Sequence, residues 1–172
     1  MILVKNNLKQ YFIQQNQLFG NRFFIKRKEL KIDFFFYYRI ILGSKNAKII
    51  FLKEFLPNNK SIDEEFKLLN KILKALNLSK EEISFLEVSH KKQSDFTSFN
   101  SFYKLINPSS IIVLGLKAAQ IIFKSDDNFY NLKNKYNKYK KANLIITYSL
   151  KDIMNDLSLK KHVWDDIKII GN

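Results

Sequence analysis

The 172-residue chain contains no cysteine, two histidines, two prolines and four glycines. Without cysteine there is no disulfide framework, no thiolate-bound zinc or iron–sulfur cluster and no thiol nucleophile. The two histidines, His90 and His162, leave little from which to build a histidine-rich metal centre. The glycines stand at Gly20, Gly43, Gly115 and Gly171, too far apart for a loop that cradles phosphate. Neither a P-loop nor a dinucleotide fingerprint is present, and no cofactor or metal is expected. Arginine is scarce as well: only Arg22, Arg27 and Arg39 are found. The guanidinium fork is what grips guanine and phosphate bidentately, so specific base readout is disfavoured. Long apolar runs are also missing. The opening Met1 to Val4 meets Lys5, and Phe34 to Leu42 is interrupted by Arg39. No signal peptide and no membrane span are predicted, and a cytoplasmic protein is expected.

What the chain has is core-forming material and positive charge. At 46% hydrophobic and 15% aromatic residues, it can bury a full core as one domain without covalent staples. Thirty basic against 16 acidic residues give a net charge of +14, which attracts anionic partners. The excess is nearly all lysine, in a chain rich in Asn, Ile and Phe and poor in Ala, Gly and Pro. That is the bias of an AT-rich coding genome, so part of the charge reflects composition. The expectation is weak, nonspecific attraction to nucleic acid.

Along the chain, Leu8, Tyr11, Phe12, Leu18 and Phe19 follow helical spacing, with Gly20 placed as a C-cap. Asn21 to Lys31 is basic and aromatic, a linker or a docking peptide. Residues 1–31 therefore read as a docking segment, and 32–172 as an α/β body. In the body, Asp33 to Leu42 and Ala47 to Leu52 flank Gly43-Ser44-Lys45-Asn46, a pattern that predicts a β-hairpin. Ser61 with Glu64 matches a capping box ahead of Ile62, Phe66, Leu69, Leu73 and Leu76, a strongly amphipathic helix. Ile83 to Val88, Ile111 to Leu114 and Leu144 to Tyr148 read as strands. Phe96 to Ile106, Lys117 to Phe123 and Leu159 to Ile170 read as helices, and Asp126 to Lys141 as a polar break holding at most a short strand. This alternation predicts a three-layer α/β/α sandwich with a mostly parallel central sheet.

Several residues stand out singly. Lys135, Tyr136, Lys138, Tyr139 and Lys140 combine the basic and aromatic chemistry of single-strand binding, although a solvated loop has the same composition. Glu54, after a core strand, is either a catalytic carboxylate or a turn residue. His90 and His162 read as surface residues, and Trp164 as a core anchor or an interface residue.

Leu105 to Gln120, with its Leu114-Gly115-Leu116-Lys117-Ala118-Ala119 turn, resembles the uracil-DNA glycosylase superfamily. So does Leu144 to Ser149 followed by Lys160 and Trp164. The resemblance implies that superfamily's fold over Ala47 to Ile170. Its catalytic motifs are absent: the water-positioning, Gly-rich loop is replaced by Lys53-Glu54-Phe55-Leu56-Pro57. The histidine-proline pair after the last strand is replaced by Tyr148-Ser149-Leu150. Leu18-Phe19-Gly20 with Phe24, Arg27 and Lys28, then Ile49 to Pro57, Leu78 to Leu86, and Thr147 to Leu150 with Lys160 and Trp164, in that order, resemble the psi subunit family of the bacterial DNA polymerase III holoenzyme. That likeness implies a non-catalytic adaptor of the clamp loader. Leu18, Phe19, Gly20, Phe23, Phe24, Arg27 and Lys28 would dock on the loader, and the body would bind a chi-like subunit. The competing expectation is a degenerate glycosylase-fold protein that binds single-stranded or damaged DNA directly.

Overall fold

The computed structural model describes residues 36–44, 47–92 and 94–171. The proposed docking residues 18–28 lie outside the described residues. Among the described residues the order is β1 (Tyr37–Gly43), β2 (Ile49–Glu54), α1 (Ile62–Ala75), β3 (Ile83–Ser89), β4 (Thr97–Ser98), α2 (Phe99–Ile106), β5 (Ser110–Leu114) and α3 (Leu116–Phe123). There follow α4 (Phe129–Lys135), β6 (Lys138–Tyr139), β7 (Ala142–Thr147), α5 (Leu150–Asn155), α6 (Leu159–Ile167) and a short 3-10 turn.

Strand side chains alternate between faces, and β2 shows what that achieves. Ile49 and Phe51 enter a core with Leu69 and Leu73 of α1, Ile153 of α5 and Val163 of α6. Ile50 and Leu52 enter a second core with Phe99 and Phe102 of α2, Ala118 and Ile122 of α3 and Leu132 of α4. A strand buried on both faces is mostly apolar on both, which is why Ile49 to Leu52 of β2 and Ile111 to Leu114 of β5 read as continuous apolar runs. The buried polar residues Ser84 and Glu87 of β3 and Lys53 of β2 are held by partners. Helices therefore cover both faces of one seven-stranded sheet.

The strand order is β4-β1-β3-β2-β5-β7-β6. The sheet is mixed, which corrects the expectation of a mostly parallel one. Neighbours among β3, β2, β5 and β7 pair in parallel, whereas β1, β4 and β6 pair antiparallel at the margins. Parallel neighbours need a long crossover, and the helices supply it in the centre. β6 and β7 are joined only through Lys140 and Lys141, a connection that permits antiparallel pairing alone.

The expected hairpin of β1 with β2 does not form, because β3 lies between them. β2 is apolar on both faces and gains most at the centre of the sheet, whereas β1 is only half buried. The connection passes over the start of β3: the Ser44 N–H donates to the Ile83 carbonyl at 2.9 Å, and the Ser84 hydroxyl donates to the Ser44 carbonyl. Gly43 makes the passage possible. Its φ is +93°, and a Cβ there would collide with the Ile83 carbonyl.

Other expectations also change. Ser61 precedes α1 but makes no side-chain cap, because its hydroxyl donates to Asn59 Oδ1 at 2.9 Å. A reciprocal capping box occurs instead at Ser149 and Asp152, opening α5. The polar break at 126–141 holds α4, started by Asn128, whose side chain accepts from the Asn131 N–H. The segment 96–106 begins with the short strand β4 before α2 starts. Trp164 is 41% exposed and is not a core anchor.

A cleft at the topological switch point

The connection leaving β2 leads to β3 on one side, and the connection leaving the adjacent β5 leads to β7 on the other. Where neighbouring strands send their chains apart, a crevice opens at their carboxyl ends, the usual place for a site in such sheets. A cleft of about 250 Å³ lies there, lined by Lys53 and Glu54 from β2, Gly115 to Ala118 after β5, and Ser149 to Asp152 after β7.

Its floor is ionic. Lys53 is buried and pairs with Glu65 of α1, and the same ammonium lies 3.7 Å from Glu87 of β3. Glu65 also accepts from Asn59 Nδ2 at 2.9 Å. On the far side, Glu87 accepts from Arg39 Nε at 2.8 Å, and Arg39 donates to Asp95 at 2.8 Å. The result is a row of alternating charges, Glu65, Lys53, Glu87, Arg39 and Asp95. Paired in this way, the buried ions keep the partners that burial demands. The Arg39 guanidinium lies over Phe55 at 4.9 Å and Phe96 at 5.5 Å, and it holds the Asp95 carboxyl below its ordinary pKa.

Glu54 forms one wall. Burial raises its carboxyl above the ordinary value, and Lys117, Lys53 and Lys151 pull it back. The opposite wall is committed to structure. Ser149 Oγ accepts from the Asp152 N–H, and Asp152 Oδ2 accepts from the Ser149 N–H, both at 3.0 Å. Gly115 donates its N–H to the Thr147 carbonyl at 2.8 Å. A Cβ on Gly115 would lie 2.8 Å from Ser149 Cβ, and its φ of +94° is strained for any other residue. Chemically, the cleft offers two surface ammonium groups around one partly desolvated carboxylate. Among the described residues, no cluster of three or more His, Asp or Glu is placed to hold a metal ion.

Beside the cleft lies an aromatic group. Phe129 stacks on Tyr148 with centroids 4.7 Å apart, and the Tyr130 and Tyr148 hydroxyls are 3.5 Å apart. The His162 ring lies 6.2 Å from Tyr148.

The basic and aromatic residues singled out in the sequence divide into two kinds. Lys135, Lys138 and Lys140 are exposed. Tyr139 is 1% exposed, and its hydroxyl donates to Asn100 Oδ1 at 3.0 Å while its carbonyl accepts from the Tyr103 hydroxyl. Its ring is core and presents no face to a base. Tyr136 is half-buried and stacks flat on Phe123 at 4.0 Å. Lys135 lies 3.6 Å from Asp127, and Lys140 lies over the rings of Tyr103 and Tyr139. His90 and His162 are both exposed.

Sequence reasoning passed over Lys53, Glu65, Glu87, Lys117 and Lys151. For Lys53 and Glu87 a signal existed: each interrupts an otherwise apolar strand, and such a charge is retained there only with a partner. Comparison of the chain with protein-family models and with curated sequences gives no match. No helix among the described residues is long and apolar enough to cross a membrane.

Proposed function

We propose that the protein is a non-catalytic, cytoplasmic adaptor of the replicative clamp loader, built on a uracil-DNA glycosylase-like three-layer sandwich and similar to the psi subunit. One observation carries the reading. At the switch-point cleft, the end of β2 and the turn after β7, where a glycosylase's catalytic groups would stand, serve the protein's own fold. Lys53 is sequestered by Glu65 and Glu87, and Ser149 is occupied in capping α5. The turn directly after β7, Tyr148-Ser149-Leu150, carries no histidine where a glycosylase's imidazole would stabilise a departing base anion, and general acid–base work needs a group within reach of the proton it moves. A fold kept without its chemistry suits a scaffold whose surface does the work. In this reading Leu18, Phe19, Gly20, Phe23, Phe24, Arg27 and Lys28 dock on the loader, and the α/β body faces a chi-like subunit.

The test is reconstitution of the full chain with the host clamp loader and its accessory subunits. A stable complex that weakens on Phe24→Ala is expected, together with no abasic sites in uracil-containing DNA. Uracil excision abolished by Glu54→Gln would overturn the reading. A second reading, direct binding of single-stranded DNA, is supported by the ring group Phe129, Tyr130, Tyr148 and His162, with Lys133 5.7 Å from the Phe129 ring. Binding that survives physiological salt and is lost on Tyr130→Ala would favour it.

A further inference from the structure

We infer that the outward face of α6 is a docking surface for an acidic amphipathic helix of a partner protein, with Trp164 as the anchor. The helix buries Val163 and Ile167. Beside that buried edge, Lys160 and Lys161 stand four and three residues before Trp164, and Lys168, at the start of the 3-10 turn, stands four after it, so the four form one exposed stripe. Leu157 extends the stripe from the turn before α6, which is closed by the Lys160 N–H donating to the Leu157 carbonyl at 3.2 Å. Leu157 is 62% exposed and Trp164 is 41% exposed, and the three lysines around them are exposed too.

Tryptophan buries a large apolar area on leaving water, and with tyrosine and arginine it is enriched among the residues that anchor interfaces. An apolar centre with a charged rim is the anatomy of a protein interface. Charge sets the sign of the partner: the neighbouring carboxylates are already engaged, Asp165 with Lys168 at 2.8 Å and Asp156 with the Ser158 N–H at 2.9 Å, so with three lysines the face stays cationic. Shape sets its class. A nucleic-acid strand could stack on Trp164, but it would gain nothing from the apolar Leu157 beside it. An acidic amphipathic helix uses the apolar ridge and the lysine rim together, as helix-in-groove and helix-on-helix contacts do. The inference deepens the adaptor reading and rests on it for the identity of the partner, which would be a loader-associated subunit.

Trp164 is the chain's only tryptophan, so its emission reports this face selectively. The full chain is titrated with a synthetic helical peptide of glutamate with leucine at helical spacing, with oligo(dT), and with the reconstituted loader and its accessory subunits. The peptide or the loader assembly is expected to shift Trp164 emission to the blue and protect it from acrylamide. Affinity should fall about tenfold or more in Lys160→Glu with Lys161→Glu, a charge reversal on exposed residues that leaves the core untouched. A shift with oligo(dT) alone at physiological salt, equal binding by wild type and variant, or no shift with any probe overturns the inference. If the loader binds wild type and variant equally with Trp164 unshifted, the surface is wrong and the adaptor reading stands. If the loader does not bind but the peptide shifts Trp164, the adaptor reading falls and the surface stands.

Discussion

Lys133 and Asp166 pair at the outer edge of the sheet, with both carboxylate oxygens 2.6 Å from one ammonium. Lys133 belongs to α4, which packs on one face through Leu132, and Asp166 belongs to α6, which packs on the other through Val163 and Ile167. The pair therefore ties the two helical layers together beyond β7, where β6 covers only Ala142 and Asn143. Thr147 joins it, donating its hydroxyl to Asp166 at 2.8 Å. Asp166→Asn keeps the shape and removes the charge. It should lower stability by about 1.5–3 kcal/mol, the range for hydrogen bonds to charged groups, with the lower end expected because Lys133 is partly exposed. A urea midpoint unchanged by the substitution would mean that the layers are held by packing alone.

Lys53 should be far more sensitive. Lys53→Met would leave Glu65 and Glu87, each 3% exposed, without their shared cation. Removing one partner of a buried ion pair costs about 3–5 kcal/mol. Adding Glu65→Gln to Lys53→Met removes one of the stranded charges and should recover part of the loss. Residues this close are not expected to behave additively. If chemical denaturation of the single and double variants gives additive losses, the row of alternating charges does not act as a unit.

The outcome at β2 shows where the sequence is legible and where it is not. The apolar run Ile49 to Leu52 identifies a buried strand, because both faces of the sheet are covered. Its neighbour cannot be read locally. Gly43 and Ser44 look like hairpin chemistry, and their actual task is to carry the chain over β3, a strand that begins 39 residues further on at Ile83. The cleft escaped notice for the same reason. Lys53, Lys117 and Lys151 are distant in sequence, and only the switch in strand order brings the ends of β2, β5 and β7 together. Tyr139 is 1% exposed, a burial that composition does not reveal, because aromatic and basic residues are as common in a binding loop as in a hairpin that buries one ring. By contrast, the amphipathic spacing of α1 was enough, since a helix carries its periodicity within itself.

Glu54 gives the cleft a signature in pH. Burial raises its carboxyl above the ordinary 4.5, outweighing the pull of Lys117, Lys53 and Lys151. The folded chain therefore holds this proton more tightly than the unfolded chain. The contribution to stability is present below the ordinary value and is lost as pH rises through the folded value. Glu54→Gln cannot ionise, so its stability relative to wild type should increase across that window and then level off. The effect is modest, because a half-exposed group is screened by water. Thermal melts of both proteins between about pH 4 and about pH 7 would check it. A constant difference across the range would show that Glu54 ionises as freely folded as unfolded.

The exposed lysines and the buried tyrosine of the 135–140 segment should separate cleanly in experiment. Lys135, Lys138 and Lys140 are exposed, so replacing all three with glutamine should leave stability nearly unchanged. It should weaken nonspecific binding to single-stranded DNA and reduce the slope of log affinity against log salt by about two, if each lysine neutralises one phosphate. Tyr139→Phe removes the hydrogen bond to Asn100, and its effect should be the reverse. Stability should fall by about 1 kcal/mol, with DNA affinity and its salt slope unchanged, because a ring in the core cannot stack on a base. Titrations at two salt concentrations, paired with urea melts, read both quantities. A triple lysine variant that binds with the wild-type slope would mean that the attraction of this +14 chain for nucleic acid resides elsewhere, with Lys117 and Lys151 at the cleft mouth the next to replace.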